Sequence, residues 1–409
     1  MLESWKKKTI RFLLGQTVSL FGSSLVQYAI LWYITLETKS GVMMMVSIVC
    51  GFLPGFFISP FAGVWADRYN RKLLIVVADA AIAIATLTLA VLFIVGIDAL
   101  WLLFVMSAIR SLGTGVQIPA VGAFLPQIVP EEKLTRVNAL NTTIQSVITL
   151  VSPMASGFLL TVASIETIFF IDVATAAIAI FVLMFLLHVP SHQKAQTKQT
   201  TGYFTDLKLG LLYIRKHEFI LRFMIFSALF FILVAPAAFL TPLQVARSFG
   251  GEVWRLSAIE VAFSAGMILG GVLMASWGGF KNRIHTMAFA GFLLGACTFL
   301  LGVVPVFWIY LFIMAFTGVA VPVFNTPSTV LLQEKIEEDY MGRVFGIFGM
   351  IVNAVMPLAM LLFGPLAEAV AIEWLLIITG VLMSISCIAM LYSKVLIEAG
   401  RPKAIKEQV

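Results

Sequence analysis

Two stretches of this chain repeat one another, Gly63-Val64-Trp65-Ala66-Asp67-Arg68-Tyr69-Asn70-Arg71-Lys72 and Ala275-Ser276-Trp277-Gly278-Gly279-Phe280-Lys281-Asn282-Arg283. Trp65, Asn70 and Arg71 return in register as Trp277, Asn282 and Arg283. Each stretch closes an apolar run long enough to cross a bilayer, over residues 41–66 and 255–278. A second echo lies further on in each half. Glu131-Glu132-Lys133-Leu134-Thr135-Arg136-Val137 precedes one apolar run, and Glu338-Asp339-Tyr340-Met341-Gly342-Arg343-Val344 precedes another. Both matches fall where a six-helix repeat puts them, and two parallel six-helix halves around a central site is a transporter architecture.

The rest of the chain fits that frame. Of its 409 residues 60% are hydrophobic and 12% charged, against about 25% charged in a typical soluble domain. Such a chain lacks the polar cover that a water-facing surface needs. Twelve apolar runs are long enough to span a bilayer: 10–36, 41–66, 73–96, 99–123, 138–162, 166–188, 219–244, 255–278, 284–303, 306–331, 343–367 and 372–394. The first follows Lys6-Lys7-Lys8. It is too long for the apolar core of a signal peptide and reads as a retained helix. The expected fold is an all-α membrane protein of twelve transmembrane helices in two pseudo-symmetric halves.

Charge sets the expected topology. Connections after odd-numbered spans carry only Lys39, Arg247 and Arg255. The opposite side holds Lys6, Lys7, Lys8, Arg11, Arg68, Arg71, Lys72, Lys133, Arg136, Lys281, Arg283, Lys335, Arg343 and a basic C-terminal tail. By the positive-inside rule both termini are cytoplasmic in a cell membrane, as an even helix count requires. The net charge of +6 thus reports topology, and no nucleic-acid partner is expected. Residues 1–188 form the first half and 219–409 the second half with the tail. Between them, 189–218 is a cytoplasmic linker, flexible at first. It ends in an amphipathic helix with Phe204, Leu207, Leu211 and Ile214 on one face, expected at the membrane surface.

At this point the chain resembles the major facilitator superfamily. Gly63-x-x-x-Asp67-Arg68-x-x-Arg71-Lys72 matches the signature between its second and third helices, with Asn70 where Gly is commoner. More narrowly, the chain resembles drug:proton antiporters of the macrolide-efflux type. That resemblance rests on Gly15-Gln16-x-x-Ser19-Leu20, Ala78-Asp79, Ile109-Arg110-Ser111-Leu112-Gly113-Thr114, Pro119-Ala120, Val129-Pro130-Glu131-Glu132, Ile171-Asp172-Val173 and Phe263-Ser264-Ala265-Gly266-Met267. In the broader antiporter pattern the first Gly falls four residues after the Arg; here Gly113 follows Arg110 by three.

Charged groups inside apolar runs are costly and mark function. Arg110 is the basic residue nearest a span's midpoint, and Asp79, Asp172 and Glu260 are the acidic ones. These four are the proton-coupling candidates, with Glu260 ranked first because the close-packing Gly266, Gly270 and Gly271 follow it. Burial disfavours a carboxylate and a neighbouring arginine favours it. Gly63, Asp67, Arg68, Arg71 and Lys72 form the expected cytoplasmic gate. The resemblance implies that Asp67 faces the start of the eleventh helix in the outward-facing state, with the basic residues pairing Glu131, Glu132 or lipid phosphates. The family's central helices suggest Phe21, Gln27, Phe230, Phe231, Phe316, Phe324 and Asn325 as cavity residues.

Cys50, Cys297 and Cys387 lie inside apolar runs, and no His/Cys/Asp/Glu group has metal spacing. Without a nucleotide loop or a nucleophile–base constellation, neither a cofactor nor enzymatic chemistry is expected. The resemblance implies a monomeric secondary exporter of amphipathic, macrolide-like compounds, exchanging them for protons. Import or flipping of another solute, such as a lysolipid or a nutrient, remains the alternative on the same scaffold.

Overall fold

The computed structural model describes residues 5–187, 189 and 203–401, which form helices and no strand. Twelve segments are long and apolar enough to cross a membrane. In the first half these are α1 (Trp5–Thr38), α2 (Gly41–Arg68), α3 (Arg71–Ile94), α4 (Leu100–Ile128), α5 (Glu131–Val162) and α6 (Ile165–Phe181), the last extended by a π-helical turn (Val182–Leu186). A short helix α7 (Tyr203–Lys216) follows. The second half holds α8 (Glu218–Phe239) with α9 (Thr241–Ser248), α10 (Val253–Trp277), α11 (Arg283–Val303), α12 (Phe307–Lys335), α13 (Glu338–Ala369), α14 (Ile372–Tyr392) and a final short α15 (Lys394–Ala399). The seventh span is α8 and α9 in series. Their junction at Leu240 lies just before Pro242, whose missing N–H cannot continue the helical ladder.

The repeated stretches act alike. Asn70 caps α3, its side chain accepting from the Leu73 N–H at 3.3 Å, and Asn282 caps α11, accepting from Ile284 at 2.9 Å. The basic residues after Asn70 reach backbone carbonyls in the last turns of neighbouring helices, where cations are favoured. Arg71 donates to the carbonyls of Ala66 and Ala123, both at 2.9 Å. Lys72 donates to those of Met184 and Leu187. Arg283 instead forks onto Glu334, at 2.5 and 3.1 Å. Gly278 and Gly279 make the turn before Asn282 at φ of 71° and 84°, a conformation glycine adopts freely.

Several helices run past the apolar stretches read from the sequence, among them α1, α4, α5, α12 and α13. The polar stretches at 131–137 and 338–344 lie inside α5 and α13. Apolar length measures the bilayer rather than the helix, and Glu131 and Glu132 in a first turn suit the positive helix end. The face of α7 also differs. Gly210, Tyr213 and Ile214 are buried and Leu207 half-buried, while Leu211 is 52% exposed. Tyr213 stacks on Tyr340 of α13 with ring centroids 4.2 Å apart. This face therefore packs on protein. The side chain of Phe204 and the linker residues 190–202 lie outside the described residues.

Contacts divide the chain into two units near Gln199, with Ser40–Val42 grouped in the second and Glu252–Ser257 in the first. Within the first, α1 packs on α5 and α6, and α3 on α4 and α6. Within the second, α8 packs on α13 and α14, and α11 on α12 and α14. These are the same four pairings one repeat later. Small residues allow a further matched approach. A Cβ on Gly115 of α4 would stand 2.5 Å from the Gly55 carbonyl of α2, and Gly266 of α10 lies against Ala315 and Gly318 of α12. Large apolar side chains such as Phe57, Phe158, Trp308 and Phe312 are exposed, as a chain solvated by lipid requires.

Candidate functional site: two polar layers in the first unit

Three helices of the first unit each carry polar residues two turns apart on one face. On α1 these are Gln16 and Ser19, then Ser23; on α3, Asp79 and Thr86; on α4, Gln117 and Arg110. A spacing of seven keeps two side chains on one face, about 10 Å apart along the axis. Because α4 runs opposite to α1 and α3, the residues sort into two layers.

The first layer centres on Arg110. Its Nη1 forms an ion pair with Asp172 Oδ2 of α6 at 2.5 Å, and both side chains are buried. Arg110 also donates to the Thr86 hydroxyl and, through Nη2, to the Ser23 carbonyl at 3.0 Å. The Thr86 hydroxyl lies 2.9 Å from both Asp172 Oδ2 and the Ile82 carbonyl, either of which takes its proton. Ser23 Oγ donates to Asp172 Oδ1 at 3.1 Å. Gly22 lets α1 come this close: a Cβ there would run into Thr175 and lie 3.2 Å from Asp172 Cα. Four helices thus meet on one buried charge pair, which is tolerable because the ions are paired and each makes further hydrogen bonds. One donor, Arg110 Nε, has no partner.

The second layer centres on Asp79, 2% exposed. Its Oδ1 accepts from Gln117 Nε2 at 2.5 Å and from Ser19 Oγ at 3.3 Å. Its Oδ2 has no partner, nor do Oε1 and Nε2 of the neighbouring Gln16. Three buried polar atoms are therefore unsatisfied in one place, although such groups are normally paired.

Among the described residues, the other sequence candidates make no hydrogen bond to either layer. Glu260 is half-buried on α10, in the second unit's repeat, and has no hydrogen bond or ion pair among the described residues. Of the gate residues, Gly63 is half-buried and Arg68 exposed, while Arg71 and Lys72 reach backbone carbonyls. The side chain of Asp67 lies outside the described residues. Among the expected cavity residues, Phe230 and Phe324 are stacked at 4.5 Å in the core of the second unit, with Gly291 making room for both rings. In this conformation they are packing residues rather than an open lining. Phe21, Gln27 and Phe231 are half-buried, and Phe316 and Asn325 exposed.

Sequence reading overlooked Gln16, Ser19, Ser23, Thr86 and Gln117 as site residues. The signal was present in the seven-residue spacing of polar side chains inside apolar runs. No group of three or more His, Cys, Asp or Glu side chains suited to a metal occurs among the described residues.

The family model of the Major Facilitator Superfamily matches residues 12–360 and again 238–408. Macrolide efflux protein A of Streptococcus pyogenes is 30% identical over 388 residues, 94% of this chain and 95% of that protein. Macrolide efflux protein A of Enterococcus faecalis is 30% identical over 312 residues, 76% of this chain and 96% of its own length. In fold, the crystal structure of a bacterial homologue of the human lysosomal transporter Spinster superposes with a TM-score of 0.71 at 12% identity. That match covers 99% of this chain and all of the other.

Proposed function

Because this chain belongs to the major facilitator superfamily, and so is a multi-pass membrane transporter, we propose that it exports amphipathic, macrolide-like compounds from the cell in exchange for protons. The observation that carries this reading is the 30% identity to macrolide efflux protein A along nearly the whole length of both chains. A substrate of that kind is large, apolar and weakly basic. Within the second unit, a half-buried, unpaired carboxylate such as Glu260 and aromatic side chains such as Phe231 and Phe316 suit its recognition.

The transporter alternates between inward- and outward-facing states in the cell membrane, with both termini cytoplasmic, acting as a monomer among lipids and without a cofactor or an enzymatic step. Asp67 belongs to the cytoplasmic gate with Gly63, Arg68, Arg71 and Lys72. Its charge favours one state over the other, and only such a differential interaction shifts a two-state equilibrium. The coupled proton resides on a membrane carboxylate: Glu260, Asp172 or Asp79. Asp172 is committed to Arg110 in the conformation described here, and this pair is the structural centre against which the others work.

The test is a susceptibility profile. Cells expressing the chain should tolerate macrolides better than cells without it, and an uncoupler should abolish the difference. A profile unchanged by expression overturns the exporter reading. Resistance that survives the uncoupler overturns the proton coupling.

A further inference from the structure

We propose that Asp79 holds the coupled proton, as a neutral carboxylic acid whose hydroxyl is addressed to Gln16. The proposal rests on the proton-exchange reading above and assigns its proton to one atom. A carboxylic acid has two unlike oxygens: a carbonyl oxygen that accepts, and a hydroxyl that must donate. Asp79 is surrounded in that way. Oδ1 accepts from both Gln117 and Ser19, the pattern of a carbonyl oxygen. Oδ2 receives no donor, although it is equally buried.

An ionised carboxylate could draw at most the neutral Gln16 amide N–H to that oxygen and would keep its charge without a counter-ion inside the bundle, a severe penalty. A proton on Oδ2 removes the charge and supplies a donor. Gln16, a side-chain neighbour of Asp79 and 2% exposed, has neither an acceptor for its amide N–H nor a donor for its amide oxygen. A small side-chain adjustment joins the two and satisfies two orphaned atoms with one hydrogen bond.

The groups packed around Asp79 offer no counter-charge. From α4 the charged residue is Arg110, two turns along and bound to Asp172. From α6 it is Asp172 itself, a like charge. From α1 the facing groups are Gln16 and Ser19, neither titratable. The step balances simply: a proton from water forms the Oδ2–H bond, and its return to water regenerates the carboxylate. Water admitted to the layer in the alternate conformation favours the charged form and releases the proton.

Infrared spectroscopy of the purified protein in lipid bilayers tests this directly. At neutral pH the wild type should show the C=O band of a protonated carboxyl, sensitive to deuterium exchange. Asp79→Asn should remove it and Glu260→Gln should keep it. Gln16→Leu should shift it to the position of an acid without a hydrogen-bonded hydroxyl, which decides the matter even where Asp79→Asn does not fold. Exchanging sodium for choline should leave it unchanged. A spectrum without the band, a band indifferent to both Asp79→Asn and Gln16→Leu, or a band that disappears in sodium overturns the proposal, the last because the layer then takes a metal cation. In proteoliposomes Asp79→Asn should lose uphill efflux driven by a pH gradient, and retained uphill efflux also overturns it. Wild-type efflux indifferent to the gradient would instead sink the exchange reading alone, with the band still reporting the proton on Asp79.

Discussion

Replacing Asp172 by asparagine keeps shape and one acceptor but leaves the Arg110 guanidinium charged and buried. The structure sets the magnitude. The lost ion pair is 2.5 Å long between groups 4% and 0% exposed. Breaking such a pair from one side costs about 3–5 kcal/mol. The asparagine oxygen still accepts from Ser23, so the lower end, about 3 kcal/mol, is expected. At about 1.4 kcal/mol per tenfold, that is roughly a hundredfold loss in the folded-to-unfolded ratio. The double variant Arg110→Met, Asp172→Leu removes both charges, and most of the stability should return, because apolar replacement of a buried pair is often neutral. The assay is unfolding by sodium dodecyl sulfate in mixed micelles, for Asp172→Asn and, as a double-mutant cycle, for Arg110→Met, Asp172→Leu and the double. An Asp172→Asn variant within 1 kcal/mol of wild type, or a double variant as unstable as the sum of the singles, would refute the reasoning.

Three other outcomes follow from the same description. Gly22→Ala should destabilise by about 1–3 kcal/mol through overpacking, since its Cβ meets Thr175 and approaches the backbone of Asp172; adding Thr175→Ala should recover part of the loss in the same unfolding assay. Asp67→Asn should insert and fold normally yet transport more slowly. A charge–dipole contact worth up to about 2 kcal/mol shifts the two-state balance more than tenfold, and export at the wild-type rate would make Asp67 a solvated loop residue. A cysteine at Ser248 should label from outside intact cells while tags at either terminus stay protected, and the reverse pattern would invert the topology.

The fold was legible because a bilayer imposes a length that apolar runs display, and because Asn70 and Asn282 cap equivalent helices in both halves. Helix ends beyond the bilayer were not. The first turns of α5 and α13 are polar and so read as connections. Arg110 and Asp172 were legible as costly groups, but their pairing was hidden, because sequence does not give the rotation of one apolar helix against another. Low amphipathicity compounds this: lipid and protein interior are equally apolar, so Phe230 and Phe324 carried no mark of being core. Asp79, ranked below Glu260 from sequence, gained weight only when its unpartnered oxygen and those of Gln16 came together.

The most direct test of the central claim is uptake of a radiolabelled macrolide by proteoliposomes containing the purified protein, with and without an imposed pH gradient. Transport coupled to protons predicts accumulation against the macrolide's own gradient when the vesicle interior is acidic, and its collapse on adding a protonophore. Protein-free liposomes with the same gradient subtract passive trapping of a weak base. Accumulation no greater than in those liposomes, or undiminished by the protonophore, would contradict the account.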